Sequence, residues 1–347
     1  MSMQFIDTKR PVRLPIEIVE TIIENAWCDT IRTQDYFWGL SFDEKTRWSE
    51  MCRRMSRAVA KISKKRWKLH RTFSLVCHQW RKVMLRTSSR HIIIESRIDL
   101  EQYRATTAIR QNRERPFFHL VASLGFQDFD SHSYSTSYYW EEVFKLILPI
   151  VQNCASSRIT FTHYVDAFYE FLDPVFALLK QLPHMRTLYL DWSQLFSRNM
   201  MFRLPIPWTL PHITYLRLSH YPPCAGIGQC SGALHAEACV SRYLLCGFPH
   251  LTHLHLETPI FLKFLRVPVS LEVLILDIPP SPPFTSMLNW NIGAALNRGF
   301  FKRVSEGHRR SIVVLTGLEE PSGWLQVQQV CAAHGILLRR NNVYGIN

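Results

Sequence analysis

The chain has 347 residues, 47% of them hydrophobic, with a formal net charge of +13. That length suits two folding units, and the composition excludes disorder as the default state. No apolar run reaches the ~18–20 residues a membrane helix needs, and the longest, Phe261 to Ile278, is interrupted by charges and a proline.

The opening MSMQFIDTKRPVR shows no cationic segment followed by an apolar run and a cleavage site, so no secretory signal is expected. Nine cysteines, an odd and mostly scattered set, do not form a disulfide framework. A reduced protein of the cytoplasm or nucleus, without a membrane span, is the expectation.

In chain order, the first predicted element is RLPIEIVETIIENAW, Arg13 to Trp27. Pro15 suits the first turn of a helix. Val19, Ile22, Ile23 and Ala26 then recur at i, i+3, i+4 and i+7, an apolar helical face with Glu17, Glu20 and Glu24 around it. A basic segment follows: between Lys45 and Arg71 there are eleven lysines and arginines against one acid, Glu50. Within it, Ser41 to Glu44 has capping-box spacing, and Trp48, Met51, Cys52, Met55, Val59 and Ile62 keep helical periodicity. Next comes RTFSLVCHQWR, Arg71 to Arg81, where Phe73, Val76, Trp80, Val83 and Met84 predict one further helical stripe with Arg81, Lys82 and Arg86 outside it.

Leucine-proline with a glutamate two positions on, an isoleucine-rich helix, and then S-L-V-C-x-x-W-R together resemble an F-box. That is the short helical module by which substrate receptors dock onto a Skp-family adaptor and, through it, a cullin. The resemblance implies adaptor contacts by Leu14, Pro15, Ile18 and Ile22 in the first half and by Leu75, Val76, Cys77 and Trp80 in the second. The sequence departs from the motif in the 43 residues, 28 to 70, that separate the halves.

From Arg90 onward, beginning with HIIIES, helical stripes give way to short apolar runs separated by turn residues. FFHLVASLGF from Phe117 and RITFTHY from Arg158 are expected strands, and PVFALLKQL is expected to start a helix at Pro174. LPHMRTLYL (182–190), LPHITYLRL (210–218), FPHLTHLHL (248–256) and VPVSLEVLIL (267–276) are copies of one phrase. They align Met185, Ile213, Leu251 and Leu271, then Leu188, Leu216, Leu254 and Leu274, then Leu190, Leu218, Leu256 and Leu276. The L-x-L ending resembles the strand of a leucine-rich repeat, in which alternate residues enter a stacked core. Near the end, SIVVLTGLEE predicts a strand, Pro321 opens a helix that Gly335 stops, and ILL begins a last strand.

The expected architecture is an α-helical F-box-like module over 1–95, with a basic helical insert at 28–70. An α/β leucine-rich-repeat-like solenoid with a mostly parallel sheet follows over 96–347. The chain is then expected to be a substrate-recognition subunit of an SCF-type ubiquitin ligase, with Tyr189, Arg217, His255 and Ile275 on the face that binds a target protein. Asp191, Ser219, Glu257 and Asp277 lie just beyond them.

Cys224, Cys230, Cys239 and Cys246, with His220, His235, His250, His253 and His255 nearby, have the residue types of a zinc site. Their spacings of five and six residues are unlike the two to four of structural sites, so neither metal nor cofactor is expected. Phosphate-loop, dinucleotide, metalloprotease and serine-elbow signatures are absent. GQCSG, Gly228 to Gly232, lacks the preceding strand of a nucleophile elbow, and no catalysis is expected. The alternative reading rests on KISKKRWKLHR, where Lys61, Lys64, Lys65, Arg66 and Lys68 surround Trp67. Through segment 45–71 the protein would bind nucleic acid or an acidic partner, or serve as a general interaction scaffold.

Overall fold

Nine strands pair in parallel in strict chain order: β1 His91–Ile94, β2 Phe117–Ala122, β3 Ser156–Thr162, β4 Thr187–Ser193, β5 Tyr215–Tyr221, β6 His253–Leu256, β7 Val273–Asp277, β8 Ser311–Thr316 and β9 Leu337–Asn342. The sheet is open, and the fold is α/β. The computed structural model describes residues 14–31, 48–106, 116–122, 136–162, 168–193, 208–221, 244–257, 262, 265, 267–280, 286–301 and 310–344.

The repeated phrase builds the centre of this sheet. Leu188, Leu216, Leu254 and Leu274 lie side by side in register across β4 to β7, and so do Leu190, Leu218, Leu256 and Leu276. All eight are buried, each contributing about 1.5–3 kcal/mol by leaving water. The rows continue into Ile312 and Val314 of β8. Each copy also opens with the same turn: the Met185, Ile213, Leu251 and Leu271 amides donate to the carbonyls of Leu182, Leu210, Phe248 and Pro268 at 3.0, 3.2, 3.2 and 3.1 Å. In the first three copies the proline occupies the second turn position, where its fixed φ is favourable. In the fourth it sits one place earlier, which accounts for the extra residue in that copy.

Helices precede and flank the sheet: α1 Ile16–Cys28, α2 Trp48–Val76, α3 His78–Arg90, α4 Arg97–Ala105, α5 Thr136–Val151, α6 Phe168–Lys180, α7 Ile292–Asn297 and α8 Trp324–Ala333. Trp27 organises the N-terminal part. It lies edge-on to Trp67 at 5.7 Å between ring centroids, Trp67 meets Tyr103 at 5.0 Å, and the Trp27 indole N–H donates to the His91 carbonyl at 2.9 Å. Helices and strands share one core, continuous from Val19 to Ile336.

Four local expectations change. Phe73 to Met84 is not one helix: Cys77 is extended (φ −164°, ψ 172°) and the chain turns there, folding Trp80 back on Phe73 at 5.5 Å. On α1 the buried row is Val19, Ile23 and Trp27, so Ile22 faces outward. Helix α6 starts at Phe168 and carries Pro174 inside it. Helix α8 starts at Trp324, after Gly323 at φ +82°. Gly335, at φ +66°, ends α8 as expected, since left-handed backbone favours glycine.

Candidate functional site

Three surfaces carry the residues singled out in the sequence. The first is apolar. Leu14, Ile18, Ile22, Leu75 and Val76 are between 40% and 79% exposed, and Pro15 and Cys77 are exposed as well. Leu14, Ile18 and Ile22 recur every four residues along the outer side of α1, while Val19, Ile23 and Trp27 hold its inner side to the core. Of the eight residues the F-box resemblance implicates, Trp80 alone is half-buried, edge-on to Phe73.

Cross-helix contacts bring the two halves to one end of the helical layer. Glu20 pairs with Arg86 and Glu24 with His91, partners separated by 66 and 67 residues in the chain. The near-constant offset runs α1 and α3 side by side in the same direction. Leu75 to Cys77 stand at the joint between α2 and α3, and Trp80 lies in the first turn of α3. Exposed apolar groups gathered in this way are the usual mark of an interaction surface.

The second surface is the polar face of the sheet. His119, Arg158, Tyr189, Arg217, His255 and Ile275 occupy one lateral row, so the four expected target-facing residues are neighbours. They are joined to one another rather than freely solvated. Arg158 reaches Asp191 at 3.0 Å, Arg217 pairs with Glu257, and His255 Nε2 lies 3.2 Å from Asp277 Oδ2 without hydrogen-bond alignment. The Tyr189 ring sits between the guanidiniums of Arg158 and Arg217, 4.4 and 4.8 Å from its centroid, and its hydroxyl donates to Glu257 at 2.5 Å. Burial and the nearby acids Asp191 and Glu257 push the Tyr189 pKa up, so the phenol stays protonated and a donor. This strip offers fixed donors and acceptors with Arg217 and Arg158 nearest solvent, while His255 is buried, an arrangement suited to a polar protein surface.

The third surface is the basic helix α2, and here the structure corrects the expected patch. Lys61, Lys64, Lys65 and Lys68 are exposed, but Arg66 is fully buried. Its guanidinium bonds Asp99 at 2.9 Å, pairs with Glu95, and bonds Thr30 through the side-chain oxygen at 2.9 Å and the carbonyl at 3.2 Å. Burial alone would lower the Arg66 pKa, but the Glu95 and Asp99 carboxylates outweigh it and raise it. Asp99 also accepts from Ser63 at 2.8 Å and from the Trp67 indole at 2.8 Å. Trp67 is therefore a core residue, and neither it nor Arg66 is presented to a nucleic acid. The signal was in the sequence: Arg66 lies seven residues after Val59, on the apolar stripe already visible in the helix.

Of the cysteine and histidine cluster, Cys224, Cys230, Cys239 and His235 lie outside the described residues, as do GQCSG and the capping-box residues Ser41 to Glu44. Among the described residues, no group of histidine, cysteine and acidic side chains is arranged to hold a metal, and no helix is long and apolar enough to cross a membrane. Comparisons with protein families, with curated proteins and with solved structures return no match to this chain.

Proposed function

We propose that the chain is a non-catalytic substrate receptor of an SCF-type cullin-RING ubiquitin ligase, an F-box-like helical module joined to a leucine-rich-repeat-like solenoid. The observation that carries this reading is the exposed apolar end of the helical layer. Leu14, Pro15, Ile18 and Ile22 of one half and Leu75, Val76 and Cys77 of the other are all exposed, with α1 held against α3 and the start of β1 through Glu20–Arg86 and Glu24–His91. Their exposure costs the monomer hydrophobic stabilisation, and a Skp-family adaptor seated there would recover it.

The polar sheet face, from Arg158 to Asp277, is the proposed target surface. Holding a target on the same rigid body as the adaptor raises the effective concentration of its lysines near the ubiquitin donor. No group of this chain need take part in the transfer.

The test is co-elution of the full chain with a recombinant Skp adaptor, beside an Ile18→Asp/Ile22→Asp variant whose fold is verified by circular dichroism. The wild type should co-elute and the folded variant should not. A wild type that stays separate from the adaptor, or a variant that binds equally well, would remove the reading.

A further inference from the structure

The basic insertion is the feature that the receptor reading leaves unused. Where α1 ends against α2, a groove of about 730 Å³ opens between them. Half-buried Ala26, Ile62 and Leu69 line it together with the exposed Lys61, Lys65 and Lys68. These lysines stand at i, i+4 and i+7 on α2, one face of the helix, and at 1.5 Å per residue they span about 10 Å. Thr72, which also lines the groove, extends this face to about 16 Å, three helical turns. Among the described residues none of the three lysines carries an ion pair.

The chemistry of the groove distinguishes among anionic ligands. A phosphate backbone would meet the lysines but gain nothing from Ala26, Ile62 and Leu69. The one aromatic residue interleaved with these cations, Trp67, is turned into the core and bonded to Asp99, so it offers no base a stacking surface. An apolar trough bordered by cations at helical spacing complements a helix whose own apolar stripe is bordered by acids. We propose that this groove binds an acidic amphipathic helix of a partner protein. The apolar stripe of that helix lies on Ala26, Ile62 and Leu69, and its carboxylates pair with Lys61, Lys65 and Lys68. The site is independent of the adaptor reading, since it uses none of the residues Leu14 to Ile22 or Leu75 to Trp80.

The experiment is fluorescence anisotropy on the full chain with a labelled synthetic peptide of about 14 residues, leucine at i, i+3, i+4 and i+7 and glutamate elsewhere. Saturable binding should weaken about tenfold in Lys61→Gln/Lys65→Gln/Lys68→Gln, as three exposed charge pairs are together worth. It should change little in Lys64→Gln/Arg71→Gln/Lys82→Gln, which removes the same charge outside the groove. Replacing the peptide leucines by serine should weaken it by a similar factor.

Equal losses in the two triple variants, or indifference to the peptide leucines, would reduce the effect to diffuse electrostatics and overturn the proposal. So would tighter binding of a single-stranded oligonucleotide or of anionic vesicles through the same three lysines. Absence of peptide binding to the wild type overturns it too, and binding that emerges only in Trp38→Ser/Phe42→Ser would assign the groove to the chain's own segment 32–47.

Discussion

Arg66→Met tests whether the basic helix α2 is a structural part of the fold. The substitution keeps an apolar stem of similar length and removes the guanidinium that bonds Asp99 and Thr30 and pairs with Glu95. Two carboxylates then remain in a site from which water is excluded. Removing one partner of a buried ion pair costs about 3–5 kcal/mol. With an m value near 3 kcal/mol/M, that lowers the urea midpoint by roughly 1–1.7 M. Tryptophan fluorescence is a suitable readout, because Trp27 and Trp67 lie at the network. Arg86→Met, which removes only the half-exposed pair with Glu20, should cost less than about 1 kcal/mol. Adding Glu95→Gln and Asp99→Asn to Arg66→Met should restore much of the loss, since the penalty lies in the unpaired charges. An Arg66→Met midpoint within the range of the Arg86 control, or no recovery in the triple variant, would refute the argument.

The remaining predictions concern other buried groups. Burial, then the charges of Arg158 and Arg66, hold His119 well below the ordinary histidine range, and burial lowers His70. The unfolded chain therefore binds more protons than the folded one below about pH 6.5, and stability should fall as pH drops from 7 to 5, by up to about 1.4 kcal/mol per unit from His119, with His70 adding in the same direction. His119→Gln should flatten urea midpoints over that window, and an unchanged slope would contradict the assignment. Burial pushes the Cys154 and Cys331 thiols up to about 12 and about 11, so peptide mapping after iodoacetamide at pH 8 should find exposed Cys77 alkylated and these two protected until unfolding. A Cβ at Gly247 would lie 2.2 Å from the Trp208 ring, which is itself stacked on Phe176. Gly247→Ala should therefore cost about 1–3 kcal/mol by overpacking, read as a lower melting temperature.

Elements governed by local pattern were legible in the sequence, and elements governed by distant partners were not. Strands β4 to β7 could be read because their alternation, turn proline and paired leucines recur within nine or ten residues, and the register found is the one the aligned phrases imply. Helix α1 was legible as a helix, but both of its sides are apolar. Periodicity could not decide that Trp27 goes inside and Ile22 outside; only the packing of Trp27 on Trp67 settles that. Arg66 was read by its charge, although its phase put it on the apolar stripe. Its partners Glu95 and Asp99 lie 29 and 33 residues further on, beyond the reach of any local pattern. The polar links of the sheet face escaped for the same reason, since Tyr189 and Glu257 are 68 residues apart.

The two edges of the sheet bear on why the insertion cannot be treated as an appendage. An open parallel sheet leaves backbone donors and acceptors on its first and last strands, a standing invitation to unwanted pairing. At β1 the helices answer both needs: the Trp27 indole donates to the His91 carbonyl, and the Ile93 amide donates to the Tyr103 hydroxyl at 3.0 Å. Arg66 and Trp67 of α2 hold α4, and hence Tyr103, in place through Asp99. At the other edge, β9 is almost wholly exposed and carries Arg339 and Arg340, charges that discourage strand addition. The helical layer is thus the cap of the first strand as well as the bearer of the exposed apolar end. A fragment cut at residue 95 would sever Asp99 from Arg66, so the adaptor test has to be made on the whole chain.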